Sequence, residues 1–350
     1  MMRKDPTSFW KSGHIGTLLA AFLYTESSFL AWIILGPLSL FLERSLGVGR
    51  AEAALLVALP ILTGTILHLP LGLLVDRLGA RTVAVLAQAL TLLGLLWLWQ
   101  GAIGLNEVRG AALLLGVAGA SFAVAMPMVS AWYPPEHQGK ALGLTALGGS
   151  GTLLAALAAP PLAEILGWQA VAGLAMLPVA MGLASCLLLA REAPEPRLSR
   201  PLGHYLYVLR YRDTMWFCFF YALTFGGVVS LAASLVGYFH ELYGLSPARA
   251  GQLTALTVFG AALFRPLGGW LADRHGGIRA IQAAFVLTCA AMVLLALLPS
   301  SQAPPAVAII LAASMAFGCG NGAIFQLISV RYFRQMGVVI GLVGTAGGLG

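Results

Sequence analysis

The sequence predicts an all-α membrane protein made of two halves of related sequence. Of its 350 residues, 59% are apolar and only 9% are charged, whereas about 25% of residues are charged in soluble domains. Apolar runs long enough to cross a bilayer recur along the chain, and one run occurs twice together with the turn that follows it. Because lipid offers the backbone no hydrogen-bond partners, we expect these runs to be helical.

Ten apolar runs are complete, and an eleventh begins near Val338. We number them as spans 1 to 11 in chain order. Spans 1 to 10 are predicted over 16–42, 52–74, 82–101, 109–132, 141–166, 169–190, 215–240, 250–272, 280–299 and 306–330. The chain stops within the eleventh run, so we expect the last helices of an even-numbered bundle to lie beyond Gly350.

The basic residues are distributed unevenly between alternate connections. With a cytoplasmic N-terminus, 15 Lys and Arg fall on the cytoplasmic side and 4 fall outside, while Arg265 remains within a span. This asymmetry follows the positive-inside rule, so we predict that the N-terminus is cytoplasmic. It also explains the net charge of +7 without nucleic-acid binding.

One polar stretch that contains several prolines divides the spans into two sets. We predict an N-terminal six-helix half over residues 1–190, a cytoplasmic linker over 191–213 and a C-terminal half over 214–350. The two halves have the same predicted orientation, so a parallel repeat relates them. Transporters with such repeats bind substrate near the midplane between the halves.

The duplicated stretch is Leu62–Arg81, and it matches Val258–Arg279 at a shift of 197 residues. Each copy ends in an Asp-Arg-x-Gly turn. A basic residue stands eight positions before each Asp, His68 in the first copy and Arg265 in the second, which is about 12 Å along a helix. A basic group at that depth costs about 2.5–3.5 kcal/mol on insertion scales and usually marks a substrate or ion path.

The doubled turn resembles the loops between helices 2 and 3 and between helices 8 and 9 of the major facilitator superfamily. The resemblance marks these as loops that take part in a conformational switch. The matching residues are Gly72, Asp76, Arg77, Gly79 and Arg81 in the first copy and Gly269, Asp273 and Arg274 in the second. Glycine permits a tight turn, and a carboxylate can pair with an Arg or cap a helix N-terminus.

A narrower resemblance is to the nitrate/nitrite porter family of that superfamily. It depends on Trp132–Thr152, Phe317–Phe333 and Gly341–Gly350. Two residues depart from the family's pattern, since His68 stands where the family has an Arg and Gly149 where it usually has an Asn.

The resemblance implies a secondary active transporter of a small monovalent oxyanion, nitrate or nitrite, that works by alternating access in the bacterial plasma membrane. We expect proton coupling, because an anion that enters works against a negative-inside potential, with nitrate/nitrite exchange or transport of another small anion or organic solute as alternatives. A membrane sensor without transport is a further alternative. The sequence contains no enzyme motif of the metal- or nucleotide-binding kind. We therefore expect no enzymatic activity and no cofactor, with the lipid bilayer, the anion and protons as partners of a monomer.

Arg265 and His68 are the main candidates for contact with the substrate. A guanidinium offers permanently charged, planar donors to a trigonal oxyanion, although an Arg paired to a carboxylate would be structural. His68 has three open interpretations: a pH-dependent anion ligand, a proton carrier, or a core histidine bonded to a carbonyl.

Glu26 lies about ten residues, or roughly 15 Å, into span 1. A lone carboxyl at this depth is neutral, whereas a neighbouring cation would ionise it. We therefore predict that Glu26 couples transport to protons. The alternatives are a neutral carboxyl bonded to its own helix and a salt bridge to Arg265 that opens when substrate arrives.

Other candidates for the substrate site come from the resemblance and from the repeat. Asn321 lies in the Gly-x-Gly-Asn-Gly segment of span 10, and Phe225 and Tyr221 of span 7 would form apolar walls. A shift of 198 places Gly149 on Gly347, so the two Gly-rich segments are repeat mates. Small-residue packing alone accounts for such segments; the alternative is that they also expose backbone dipoles to the anion and let the halves slide.

Overall fold

A computed structural model describes residues 9–100, 104–192, 210–298, 303–332 and 336–350. Regular structure in these ranges is helical. We number the α-helices α1 to α14 in chain order. Their bounds are Ile15–Ile33, Ser39–Leu46, Arg50–Leu78, Ala80–Gln100, Leu105–Gly119, Ser121–Ser130, Pro135–Ala146, Gly151–Leu166, Trp168–Leu188, Arg212–Tyr243, Pro247–His275, Gly277–Leu297, Ala303–Arg331 and Met336–Leu349.

Within the described ranges, 10 helical segments are long and apolar enough to cross a membrane. In chain order they correspond to spans 1 to 10, and α14 takes the place of the eleventh. The predicted all-α membrane class is therefore confirmed. The linker prediction falls largely on 193–209, which lie outside the described residues; α9 ends at Leu188 and α10 begins at Arg212.

Span 1 is shorter than the sequence predicts. The predicted run 16–42 is broken after Ile33 by turns over residues 34–38, and α2 follows at Ser39. Pro37 has no N–H to continue a helix. At Gly36 the backbone approaches α10 so closely that a Cβ would lie 2.8 Å from the Ala233 carbonyl oxygen. The break thus allows the two halves to touch at this point.

Spans 4 and 5 are interrupted helices rather than continuous ones. Span 4 is divided at Ala120 into α5 and α6, next to Gly119, where the Trp32 indole occupies the space of a side chain. Span 5 contains a 3₁₀ segment, Leu147–Ser150, between α7 and α8. Consecutive glycines weaken helical preference there, and 3₁₀ turns within a helix often mark functional hinges.

The sequence repeat is also visible in the backbone. Gly79 and Gly276 end α3 and α11 with the same φ of 91°, and their N–H groups donate to Val75 O and Ala272 O, respectively. Arg81 donates to Cys186 O at 3.2 Å and to Leu187 O at 2.6 Å, so it caps the C-terminal end of α9.

Among the other residues of the switch loops, some make local contacts, and the side chains of two lie outside the described part of the structure. Arg274 stacks over the Trp270 ring at 5.4 Å. A Cβ at Gly72 would meet nothing within 4 Å, and one at Gly269 would lie 3.8 Å from Gly322 O. Arg77 is exposed. The side chains of Asp76 and Asp273 lie outside the described part of the structure, so their predicted pairing stays a prediction.

Helices α1–α9 and α10–α14 form two packed sets that meet along two seams. Helix α3 packs against α14, and α8 packs against α11. Polar contacts join the sets at the end of the molecule where Arg50 lies. Arg50 pairs with Glu241 at 3.1 Å, Arg44 Nη2 lies 3.3 Å from His240 Nε2, and the Ala248 N–H donates to Glu164 at 3.3 Å.

The two glycines at φ 91° provide a test of the repeat. We expect Gly79→Ala and Gly276→Ala each to lower stability by about 1–3 kcal/mol, because a Cβ is strained in this backbone region. Gly143→Ala is the matched control: it is helical and a Cβ there meets nothing within 4 Å, so it should leave stability unchanged or raise it slightly. Thermal unfolding of the purified variants in detergent measures the difference in stability. Equal unfolding midpoints for all three variants would contradict a strained backbone at Gly79 and Gly276.

Candidate functional site

Arg265 lies on α11 where three elements converge. Its guanidinium carbon is 5.7 Å from the centroid of the Phe225 ring on α10. On the opposing set of helices, a Cβ at Gly149 would lie 3.8 Å from Arg265 Nη1. The Arg265 Nε is buried without a hydrogen-bond partner. Among the described residues no carboxylate lies within 4.0 Å of the guanidinium, so the charge has no anionic partner there.

Close packing of α11 on α13 fixes the position of Arg265. A Cβ at Gly322 would collide with Arg265 O, and one at Gly318 would collide with Ala261 O. These glycines let the two backbones touch, as small residues do at membrane helix interfaces. Arg265 therefore projects from a rigid two-helix unit rather than from a loop.

His68 occupies the corresponding position on α3 and is buried, with 8% of its surface exposed. Its Nδ1 lies 3.1 Å from Gly64 O. The opposite edge of the ring faces α14, where a Cβ at Gly344 would lie 3.5 Å from both Cδ2 and Nε2. The carbonyl bond agrees with the interpretation of His68 as a core histidine, but the other ring nitrogen faces a small cavity at the seam between the two sets of helices.

The cavity beside His68 has mainly aromatic walls. It is lined by Phe29, Trp32, Thr65, His68, Gly119, Phe122, Tyr221, Phe225, Gly344 and Gly348. Tyr221 and Phe225 stack with centroids 5.0 Å apart and planes within 6°. Phe225 thus contacts Arg265 and also lines the cavity of His68. The two basic residues are therefore linked by one aromatic pair, and the role of Tyr221 and Phe225 as walls of a substrate site stays a prediction.

The glycines of the two repeat-related segments serve both packing and access. A Cβ at Gly347 would lie 2.6 Å from the Tyr221 ring, so Gly347 lets α14 lie against the aromatic pair. Gly148 and Gly151 pack on α1, because a Cβ at Gly148 would lie 2.8 Å from Phe22 O and one at Gly151 would collide with Glu26 O. Gly149, between them, instead faces Arg265.

Glu26 on α1 contacts the hydroxyl group of Ser150, which lies in the 3₁₀ segment. Ser150 Oγ lies 2.7 Å from Glu26 Oε2 and 2.6 Å from Leu147 O. The hydroxyl has one hydrogen, so it can donate to only one of these oxygens. Both contacts are satisfied together when Ser150 donates to Leu147 O and a protonated Glu26 donates to Ser150 Oγ. The half-buried Glu26 is not paired with Arg265 among the described contacts.

Asn321 on α13 contacts α10. It is fully buried, and its Oδ1 accepts a hydrogen bond from Thr224 Oγ1 at 2.7 Å, which joins α13 to α10. Its Nδ2 is buried without a partner. An unpartnered buried donor is costly unless something accepts from it, so the amide nitrogen remains available to a ligand or to water.

Most of the predicted substrate residues come together at the seam. Arg265, Phe225, Tyr221, His68, Gly149 and Gly347 belong to one connected group, and Glu26 adjoins it through Ser150. Ser150, Thr65 and Gly344 were not among the site residues predicted from the sequence. Ser150 stands in the Gly-Gly-Ser-Gly segment, but its contact with Glu26, 124 positions away in the sequence, is visible only in the structure. No group of three or more His, Cys, Asp or Glu side chains suited to a metal occurs in the described ranges.

The chain as a whole matches the model of the Major Facilitator Superfamily over residues 18–350. It belongs to that superfamily. The relatives to which the chain is similar carry the names of transporters, not of enzymes. The fold agrees: the chain resembles the crystal structure of a D-xylose–proton symporter with a TM-score of 0.71 at 16% identity, over 96% of this chain and 88% of that one.

Two curated relatives are more similar in sequence. One is the "Probable nitrate/nitrite transporter NarK2" of Mycobacterium tuberculosis, 32% identical over 97% of this chain and 87% of that protein. The other is the "Probable nitrate/nitrite antiporter NarK1" of Thermus thermophilus, 32% identical over 92% of this chain and 79% of that protein. The resemblance derived from the sequence motifs is thereby confirmed.

Substitution of Gly149 and of Gly151 distinguishes a glycine that leaves space beside Arg265 from one that is needed for helix packing. We expect Gly151→Ala to destabilise the protein by about 1–3 kcal/mol, because its Cβ would overlap Glu26 O. Gly149→Ala should keep the wild-type unfolding temperature but reduce transport several-fold, since its Cβ would narrow the space beside Arg265. Unfolding in detergent and uptake in vesicles would be measured on both variants, and a stable Gly151→Ala protein would contradict the packing shown here.

Proposed function

We propose that this protein carries nitrate or nitrite across the bacterial inner membrane by alternating access. The observation that supports this most strongly is Arg265, a cation at the seam between the two sets of helices with no carboxylate partner among the described residues. A small anion is the simplest partner for such a charge. The printed names of the relatives from M. tuberculosis and T. thermophilus favour nitrate and nitrite over other anions.

The site suits a flat, singly charged anion. The guanidinium of Arg265 offers parallel N–H donors to two oxygens of a trigonal anion, and the Phe225 ring beside it limits competition from water. His68, from the other half of the repeat, supplies a second donor when it is protonated. Asn321 supports the site through Thr224 and offers its unpartnered amide nitrogen.

Proton coupling through Glu26 and His68 accounts for uptake against the membrane potential. An anion that enters a cell with a negative interior works against about 2.3 kcal/mol per charge for each 100 mV, so a co-transported proton removes this cost. The shared hydroxyl of Ser150 favours a protonated Glu26 in the conformation described here. When Glu26 loses its proton, Ser150 turns its hydrogen from Leu147 O to the carboxylate, which removes one hydrogen bond within the 3₁₀ segment that faces Arg265.

Exchange of nitrate for nitrite is the second candidate, because the Thermus relative carries the name antiporter. In that mode one anion enters as the other leaves, so no net charge moves and no proton is required. Glu26 would then have a structural role in the contact of α1 with the 3₁₀ segment.

We further propose a monomer that lies in the lipid bilayer with its N-terminus in the cytoplasm. The Arg50 end is then periplasmic, and the contacts Arg50–Glu241 and Arg44–His240 close that side. Opening toward the periplasm would require these contacts to separate. The switch loops at Gly79 and Gly276 lie at the opposite, cytoplasmic ends of their helices.

Loss of Arg265 should greatly reduce transport without unfolding the protein. We expect Arg265→Ala to reduce nitrate uptake into proteoliposomes roughly 10- to 100-fold, because a hydrogen bond to a charged group contributes about 1.5–3 kcal/mol. Arg265→Lys should retain part of the activity, since it keeps the charge but loses the planar fork. Arg249→Ala is the matched control, an exposed Arg on the same helix. Full uptake by Arg265→Ala would rule out this site.

Glu26→Gln should uncouple transport from protons. An amide at this position can donate to Ser150 Oγ as the protonated carboxyl does, so we expect an unchanged unfolding temperature. Uptake driven by an inward-acid pH gradient should be lost, while exchange into vesicles preloaded with nitrite should persist. Gradient-driven uptake that survives in this variant would remove Glu26 from the proton path, and wild-type uptake only under exchange conditions would favour the antiporter alternative.

A further inference from the structure

The orientation of the His68 ring fixes which nitrogen can meet a substrate. Nδ1 lies 3.1 Å from Gly64 O, a carbonyl oxygen that can only accept. Nδ1 must therefore carry a hydrogen. In the neutral imidazole this leaves Nε2 with a lone pair and no hydrogen, and in the imidazolium Nε2 becomes a donor as well.

Nε2 is the atom that faces the seam. It lies 3.5 Å from the Cβ position of Gly344 on α14, a helix of the opposite half. A side chain at Gly344 would take up that space. The edge of the ring that can change its hydrogen-bonding role thus lies where the two halves meet.

Few charged or titratable groups other than His68 lie around Nε2 among the described residues. Helix α1 contributes Phe29 and Trp32, α3 contributes Thr65, α6 contributes Phe122, and α14 contributes glycines. Helix α10 contributes Tyr221 and Phe225, and the Tyr221 phenol is the one other titratable group among the described residues that line this cavity. Arg265 adjoins the cavity through the Phe225 ring. Of the two basic residues near the cavity, only His68 can gain or lose its charge at physiological pH.

These contacts decide what an anion meets at His68. With neutral imidazole, the anion's oxygens face the lone pair of Nε2, and two acceptors repel. With imidazolium, they face a charged N–H donor, whose hydrogen bond is stronger than a neutral one. An anion held by Arg265 also supplies the counter-charge that a cation needs in a low-dielectric site.

We propose that His68 binds the transported anion only as the imidazolium, so that one anion and one proton occupy the site as a unit. This rests on the function proposed above and specifies the His68 step of its coupling, in which Glu26 is also required. The proton enters from the solution on the side of entry and leaves to the solution on the side of release. Once Nε2 loses its hydrogen, the lone pair opposes the anion and both are released. By linkage, the anion favours the protonated ring as much as the proton favours the bound anion.

The unaltered protein gives the first test. Potassium nitrate would be titrated into purified full-length protein from pH 5.5 to 8.5, with calorimetry in buffers of different ionisation enthalpy. We expect uptake of close to one proton per bound nitrate at the alkaline end. We also expect Kd to be flat at acid pH and to rise about tenfold per pH unit once the ring is neutral. Nitrate binding without proton uptake and with a flat Kd would overturn the inference.

Variants assign the proton to His68. His68→Arg carries a permanent charge, so its nitrate Kd should be independent of pH and its binding should take up no proton. His68→Asn should bind nitrate at least about tenfold more weakly than wild type at pH 5.5, with little difference at pH 8.5. His275→Asn, at the exposed end of α11, is the matched control and should retain the wild-type profile. Proton uptake that persists in His68→Asn would overturn the inference, even if His68→Arg does not fold.

Failure of the inference can be distinguished from failure of the proposed function. Nitrate and nitrite that do not bind at any pH would contradict the function itself. Binding that Arg265→Ala abolishes, but that neither pH nor His68→Asn affects, would leave the anion transporter in place. It would then assign the coupling proton to another group.

Discussion

The whole arrangement depends on a single charge in a medium that penalises charge. Arg265 is held within the membrane-spanning part of the protein, where water is scarce and Coulomb interactions are strong. Nearly every other feature of the site either fixes this guanidinium or leaves space beside it. The glycines of α13 set the helix that carries it, Phe225 covers one side, and Gly149 leaves the other side open. An arginine so placed favours whatever anion can reach it.

The two halves share a backbone plan but differ at this position. Both α3 and α11 end in a glycine at φ 91°, and both carry a basic residue eight positions before the Asp of the turn. One half provides a charge that does not vary with pH, and the other provides a charge that does. In the function we propose, the half with Arg265 attracts the anion and the half with His68 responds to protons. Glu26 contacts the 3₁₀ segment that faces Arg265, which is why we propose that its protonation acts on the same site.

Glycine determines how closely the two halves approach. The α3–α14 and α8–α11 seams are lined with residues that have no side chain, including Gly344 and Gly149. Smooth seams allow two helices to slide with little change in contact area, and interlocked side chains would resist it. The same absence of side chains leaves Arg265 and His68 uncovered at the seam, because a Cβ at Gly149 would lie 3.8 Å from Arg265 Nη1 and one at Gly344 3.5 Å from His68 Nε2. Gly151 serves packing, and a role of Gly149 in access of the anion stays a prediction.

The sequence was sufficient for the fold class and for the ten spans of the described ranges, because composition and the repeat are properties of the chain itself. The predicted depth of Arg265 and His68 in the bilayer stays a prediction. It was less accurate where a contact between distant residues decides. The break after Ile33 depends on Ala233, which lies about 200 positions away along the chain. The contact of Asn321 with Thr224, 97 positions away, could likewise not be read from the chain. The role of Ser150 follows from a hydroxyl that has two neighbours and one hydrogen, which no pattern of residue types reveals.

The most direct test of the proposed site is an experimental structure of the protein in nitrate at pH 5.5. We predict a trigonal anion within hydrogen-bond distance of Arg265, with the Phe225 ring beside it and His68 Nε2 directed toward it. An anion bound elsewhere, or an Arg265 guanidinium paired with Glu26 while nitrate is absent from the seam, would contradict the central claim.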